Sequence, residues 1–256
     1  MQIKDSIVVV TGGASGIGRA LAWRFTTEGA RHVVVVDIDA DGARHVAAEV
    51  GGTAMTADVG VGSEVARVVE DTETEVGPID LFCSNAGVFV RGGVDVLDDR
   101  WQSIWDINVM SHVHAARAVL PRMLSRGHGY LLQTASAAGL LSQIGSAPYA
   151  VTKHAAIGLA EWLSITYGDQ GIGVSVLCPQ AVRTPMTAGV EAGTVAAVDG
   201  MLEPEQVANA VVAGLTDERF LILPHPEVLE YARRKTADYD RWLRGMRRLQ
   251  ARSHTY

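Results

Sequence analysis

Cysteine is nearly missing from this chain: Cys83 and Cys178 are the only two, each at the end of an apolar run and neither with a ligand-like neighbour. That excludes a disulfide framework and points away from a metal site, so both thiols read as small core residues. Long hydrophobic runs are missing as well. The first apolar run, 7–10, stops at Thr11 and Gly12, far short of the ~7–15 residues at the core of a secretory leader, and nothing reaches the ~20 that a spanning helix needs. The expected location is cytoplasmic, with no membrane partner. No Pro-, Ser- or Gly-rich linker, internal repeat or low-complexity stretch interrupts the 256 residues, of which 48% are apolar. A single domain over 1–256 with a substantial core is expected.

Charge is uneven rather than scarce. Residues 231–256 hold eight Lys or Arg against two Asp, so this tail is +6 and the remainder −13 of the net −7. A nucleic-acid or anionic-lipid tail is one reading. However, Tyr239, Trp242, Leu243, Met246 and Leu249 recur at helical spacing. The tail over 226–256 is therefore expected to be a docked amphipathic helix with the arginines on its wet face, and no nucleic-acid partner is expected.

Apolar strand-like runs fall at 7–10, 33–36, 53–56, 79–83, 130–133, 174–178 and 220–223, and helical patterns at 17–28, 40–50, 63–76, 98–125, 148–167 and 204–215. Strands alternating with helices require right-handed crossovers. The fold class is α/β, a doubly wound parallel sheet of about seven strands with helices on both faces. Such sheets bind ligands beyond the carboxyl ends of their strands. Polar or turn residues stand there in turn: Gly12, Asp37, Asp58, Asn85, Ser136 and Pro179 follow or close the first six runs.

Thr11-Gly12-Gly13-Ala14-Ser15-Gly16-Ile17-Gly18 links the first strand to the first helix. Its glycines permit a tight turn, backbone approach to a pyrophosphate and close helix packing, and the helix's amino end favours the anion. Asp37, nineteen residues past Gly18, can accept hydrogen bonds from an adenosine ribose hydroxyl and repel a phosphate there. Ala14, Ser15 and Ile38 offer no cation to a 2′-phosphate, so NAD is expected ahead of NADP. Asp58 and Val59 fall where an adenine could rest, and Asn85-Ala86-Gly87 form a small turn beside the dinucleotide, although either set also reads as an ordinary loop.

Tyr149 and Lys153 are four residues apart, with Ser136 thirteen upstream. On a helix over 148–168 the phenol and the ammonium share a face. An isolated tyrosine ionises near pH ~10, and work as a base at neutrality needs a fall of roughly 2–3 units. One positive charge ~4–5 Å away, at an effective dielectric of ~20, supplies roughly 3–4 kcal/mol in that direction. A lowered Tyr149 pKa is therefore expected. Asn108 lies on an apolar helical stripe with Trp101, Ile104, Trp105, Ala115, Val119 and Leu120. Its buried amide needs hydrogen bonds, from backbone or from a catalytic water.

Together, Thr11 to Gly18, Asp58, Asn85-Ala86-Gly87, Asn108, Ser136, Tyr149 and Lys153 make the chain resemble the short-chain dehydrogenase/reductase superfamily in its roughly 250-residue branch, over nearly its whole length. The resemblance implies a Rossmann-type fold that binds NAD or NADP without metal and assembles as a homo-oligomer, commonly a tetramer. It implies Tyr149 as the acid/base, Ser136 orienting the substrate oxygen, Lys153 binding nicotinamide ribose and tuning Tyr149, and Asn108 supporting a water-linked relay. Tyr149 and Lys153 thus also count among the cofactor contacts. Thr184 matches the position whose hydroxyl helps hold the nicotinamide amide. Pro179-Gln180 departs from the Pro-Gly of many relatives and leaves open whether Gln180 faces nicotinamide or substrate.

The expected reaction is reversible oxidation of a secondary alcohol to a ketone by hydride transfer. Substrate walls are expected from Val88 and Phe89, from 138–144 and from 184–190 with Met186; most are apolar, so a hydrophobic neutral substrate is expected unless Arg91 or Arg183 holds a carboxylate. Residues 184–203 read as a substrate lid or a plain surface excursion. The alternatives are an NADPH-linked biosynthetic ketoreductase and, in another class, a noncatalytic dinucleotide-sensing regulator.

Overall fold

The computed structural model describes residues 1–188 and 197–253. Seven parallel strands form one sheet: β1 (Ile7–Thr11), β2 (His32–Asp37), β3 (Thr53–Thr56), β4 (Leu81–Ser84), β5 (Gly129–Thr134), β6 (Ile172–Leu177) and β7 (Leu221–Ile222), in the order β3-β2-β1-β4-β5-β6-β7. The order reverses between β1 and β4, which opens a crevice beyond their carboxyl ends. The valine runs suit these positions because a parallel sheet is covered on both faces, so successive residues are apolar instead of alternating.

Alternate residues of each strand serve two cores. Val9, Val34, Val36, Phe82, Leu131 and Val174 pack with side chains of α3 (Gly62–Glu75), α5 (Ser111–Arg126) and α7 (Ala147–Tyr167). Val8, Val10, Val33, Val35, Leu81 and Leu132 pack with those of α1 (Gly16–Thr27), α2 (Ala40–Val50) and α8 (Pro204–Thr216). Burying one such large apolar side chain contributes ~1.5–3 kcal/mol. These layers hold the strand ends, and therefore the crevice, at fixed spacing.

The helix expected over 98–125 runs continuously but contains a wide turn. It divides into α4 (Asp98–Trp105), a π-helical turn (Asp106–Met110) and α5. A wide turn of this kind needs a local reason, and Asn108 supplies it below. The short α6 (Ala137–Leu140) is an element the apolar pattern did not suggest.

The tail forms two helices, α9 (Glu227–Ala237) and α10 (Tyr239–Ser253), separated where Asp238 turns extended. The docking expected for α10 is incomplete. Trp242 and Met246 are half-buried, whereas Tyr239, Leu243 and Leu249 are 52%, 43% and 36% exposed. Lys235 anchors it: its ammonium donates to the Leu140 carbonyl at 2.7 Å and lies 5.1 Å from the Trp242 ring. Cys83 and Cys178 are buried and free. No helix among the described residues is long and apolar enough to cross a membrane.

Candidate active site

The crevice begins at Thr11, the last residue of β1. Its hydroxyl donates to the Cys83 carbonyl at 3.2 Å and accepts the N–H groups of Asn85 and Ala86 at 2.9 and 3.2 Å, which ties the ends of β1 and β4 together. Gly12 then turns the chain with φ +65°, and a Cβ on it would lie 2.8 Å from Ala86 Cα. Gly18 sits two turns on, where a Cβ would strike the Gly12 carbonyl oxygen at 2.0 Å. Only glycine permits that turn and that approach of α1 to the strand.

Asp37 closes β2 beside this turn. One carboxylate oxygen accepts the Ala14 N–H at 3.0 Å and the other the Asp39 N–H at 3.0 Å. The side chain is therefore a fixed negative wall. Asp58 is held similarly, accepting from Gly60 N–H at 2.9 Å while its own N–H donates to Glu64 at 2.7 Å. The Asn85 amide donates to the Thr11 carbonyl at 3.1 Å and its oxygen accepts from the Thr134 hydroxyl at 3.1 Å.

Ser136 follows β5 and caps α6, accepting the Ala138 N–H at 3.1 Å; its hydroxyl lies 3.4 Å from the Pro179 carbonyl. Ser146 starts α7 by accepting the Tyr149 N–H at 3.2 Å, with Pro148 in the first turn. This start puts Tyr149 and Lys153 on one face, and the ammonium lies 5.6 Å from the phenol ring centroid. Lys153 is buried, and it donates to the Thr134 carbonyl at 3.0 Å. Phe89 leans on Tyr149, with ring centroids 5.0 Å apart.

The charges depart from the sequence expectation at one point. Burial pushes the Tyr149 phenol above its ordinary value, with the neighbouring Ser136 hydroxyl pulling the other way. The expected lowering is therefore reversed in this structure, because loss of water around the phenolate outweighs the stabilisation on offer. Burial also lowers Lys153, to about 8, which leaves it mainly cationic at neutrality.

Asn108 is fully buried. Its amide donates to the Val88 carbonyl at 3.0 Å and to the Thr152 hydroxyl at 3.2 Å, and its oxygen accepts the Val88 N–H at 2.9 Å. Backbone thus meets the hydrogen-bonding need left open by the sequence. His112, one turn further, is buried with both ring nitrogens unpartnered. Burial holds its pKa at about 3, with the Lys153 charge acting in the same direction.

One cavity of about 420 Å³ gathers Gly12, Ser15, Gly16, Ile17, Asp37, Asp58, Val59, Asn85, Ala86, Gly87, Pro179 and Thr184 with Ser136, Tyr149 and Lys153. Gly18 and Asn108 stand outside its lining, one packing α1 and the other bracing Val88. Thr134, Ile107, Val182, Gln180 and Thr187 also line it. The first three carry no motif signal, since a strand-end threonine or an apolar wall residue resembles any other. Val88 and Met186 are in the wall, whereas Arg91 and Arg183 are not; Arg183 pairs with Glu203 at 2.8 Å.

Of the stretch 184–203, residues 189–196 lie outside the described residues, including Val190. The two flanks are tied together: the Arg183 N–H donates to the Leu202 carbonyl at 2.9 Å, and the Leu202 N–H to the Ala181 carbonyl at 3.1 Å. Thr187 closes the short turn Pro185–Thr187, donating to the Val182 carbonyl at 2.6 Å.

Residues 6–194 match the family model of the short chain dehydrogenases. The chain is 37% identical over 236 residues to 1-deoxy-11-beta-hydroxypentalenate dehydrogenase of Streptomyces exfoliatus, covering 89% of this chain and 86% of that one. It is 32% identical to meso-2,3-butanediol dehydrogenase of Serratia marcescens, over 85% of this chain and 90% of the relative. Among solved structures, a short chain dehydrogenase/reductase from Burkholderia phymatum in complex with NAD is 26% identical, with a TM-score of 0.84 over 94% of this chain and 96% of that one.

Proposed function

This chain belongs to the short chain dehydrogenase family and is an oxidoreductase interconverting a secondary alcohol and a ketone by hydride transfer; on that premise we propose that it is NAD-dependent, with Tyr149 as acid/base, and acts on a hydrophobic substrate. The observation that carries this reading is the meeting of Ser136, Tyr149 and Lys153 with the glycine-rich turn in one cavity at the reversal of strand order.

Asp37 supports NAD over NADP. Its carboxylate is locked at the end of β2 by two backbone N–H groups, where it would repel a 2′-phosphate and accept from a ribose hydroxyl. The N–H groups opening α1 suit a pyrophosphate, Asp58 and Val59 suit adenine, Asn85 to Gly87 suit the central span, and Pro179 and Thr184 suit the nicotinamide end. Bound nicotinamide supplies the site that accepts or returns hydride.

The chain's own residues handle the proton. The Ser136 hydroxyl hydrogen-bonds the substrate oxygen as its charge changes, and Tyr149 exchanges a proton with it. Lys153, cationic at neutrality, steadies the developing phenolate and holds the ribose. Asn108 acts by keeping Val88 and the π turn in place, with a water-linked relay as its further role. The same residues serve the reductive direction, in which the neutral phenol donates its proton to the carbonyl oxygen.

We further propose one catalytic domain over 1–256, a cytoplasmic location and a homotetramer. Exposed apolar residues on α7 and before α4, among them Ile165 at 84% and Leu97 at 70%, support assembly. Nicotinamide absorbance followed across a panel of secondary alcohols and ketones, with NAD and NADP in parallel, tests the reading. Turnover of apolar alcohols with NAD is expected; turnover with NADP alone, or strict preference for acids, would overturn it.

A further inference from the structure

Among the polar side chains of the cavity wall, Gln180 has no part in the proton chemistry above. Gln180 lines the cavity beside Ser136 and Tyr149, yet its Oε1 is buried without a hydrogen-bond partner. Unsatisfied buried acceptors are uncommon and need an explanation. Its position relative to the chemistry is set by its neighbour, because the Pro179 carbonyl lies 3.4 Å from the Ser136 hydroxyl and also accepts the Ala137 N–H at 2.9 Å. Gln180 therefore follows directly on the residue whose carbonyl meets the Ser136 hydroxyl.

Its backbone is held from behind. The Gln180 N–H donates to His225 Nδ1 at 3.2 Å, and His225 is only 2% exposed. An imidazole accepting at Nδ1 carries its proton at Nε2 when neutral, and that nitrogen is itself without a partner. The wall at this point thus carries a carboxamide whose backbone is held by His225, in a cavity that Val88, Val182 and Met186 also line. A purely hydrocarbon substrate would leave that acceptor as unpaired as it already is, whereas a substrate that brings it a donor would gain a hydrogen bond.

From this placement we infer that Gln180 determines specificity by hydrogen-bonding a second oxygen of the substrate close to the carbinol carbon, so that the substrate class is diols and hydroxyketones on an apolar frame. The inference rests on the secondary-alcohol reading and narrows it. A carboxamide has both an acceptor and donors, so it serves the hydroxyl of the alcohol form and persists as a partner when the neighbouring carbon becomes a ketone. Discrimination of this type comes from the hydrogen bond that only the matching substrate can make.

The test uses full-length enzyme with NAD, and octan-2-ol against octane-2,3-diol and octane-2,4-diol. At least one diol should exceed the mono-alcohol about tenfold in kcat/KM, a difference of about 1.4 kcal/mol. Gln180→Met should erase that preference mainly through KM, leaving kcat/KM for octan-2-ol within about threefold. Retained mono-alcohol activity also reports that the variant is folded. Dissociation constants of the three alcohols for the NAD complex of Tyr149→Phe give the same comparison without turnover. A diol preference in binding with no turnover in the wild type would sink the alcohol-oxidation reading and leave the Gln180 inference standing. Equal handling of all three alcohols by the wild type would overturn the inference. So would a Gln180→Met variant that weakens NAD and every alcohol alike, which would assign the carboxamide to nicotinamide instead.

Discussion

Asn108 grips both backbone groups of Val88, accepting its N–H at 2.9 Å and donating to its carbonyl at 3.0 Å. The pair couples the π turn to the loop after β4, and so sets the floor of the cavity from a position outside its lining. Asn108→Ala leaves the two part-buried backbone groups of Val88 unpaired, at ~1–3 kcal/mol each. Thermal melting should show a Tm lower by at least about 4 °C for a chain of this size. An unchanged Tm with activity lost would argue that the amide works through a relay water and not as a brace.

Tyr149→Phe removes the hydroxyl and keeps the ring contact with Phe89. NAD affinity, measured by fluorescence titration, should stay within about threefold, while turnover drops by about a hundredfold or more, the usual worth of positioned proton transfer. A phenylalanine variant of undiminished rate refutes the assignment of Tyr149.

Asp37→Asn keeps an oxygen acceptor for the Ala14 N–H, gives up the one for the Asp39 N–H and removes the charge. The ratio of kcat/KM with NADP to that with NAD should rise about tenfold or more, corresponding to ~1.4 kcal/mol of relieved repulsion. If the ratio does not move, the carboxylate is only a clamp on the glycine-rich turn.

His112 makes stability depend on acid. Its pKa falls from 6.5 to about 3 in the fold, so below pH 6.5 the unfolded chain takes up a proton that the folded one refuses. Stability is lost as pH falls through that window, at about 1.4 kcal/mol per unit for one such group. Between pH 7 and 5 this amounts to about 2 kcal/mol. His225, also lowered by burial, adds in the same sense. In urea unfolding at the two pH values, His112→Leu should lose about 2 kcal/mol less than the wild type; an equal loss would contradict the buried neutral imidazole.

Much of the site was legible because its signals are local. The glycine spacing between Thr11 and Gly18 dictates a turn whatever surrounds it, and a helix starting near Pro148 must bring Tyr149 and Lys153 to one face. Asp37 was legible by its distance from that turn. Thr134 was not: its contribution is a backbone carbonyl held out to Lys153, and backbone carbonyls leave no trace in composition. Nor was the π turn, since a continuous apolar stripe over 98–125 is compatible with an unbroken helix until Asn108 is offered Val88 as a partner.

The amino-acid sequence by itself determined the parallel sheet, the glycine-rich turn at the crevice and the shared helix face of Tyr149 and Lys153, because apolar periodicity, glycine conformation and helical spacing act over a few residues. Tertiary structure alone decided the sign of the Tyr149 shift, the bracing role of Asn108 and the mounting of Gln180 on His225. Desolvation and long-range hydrogen bonds depend on what distant segments are packed around a group, and that sum exists only once the chain is folded.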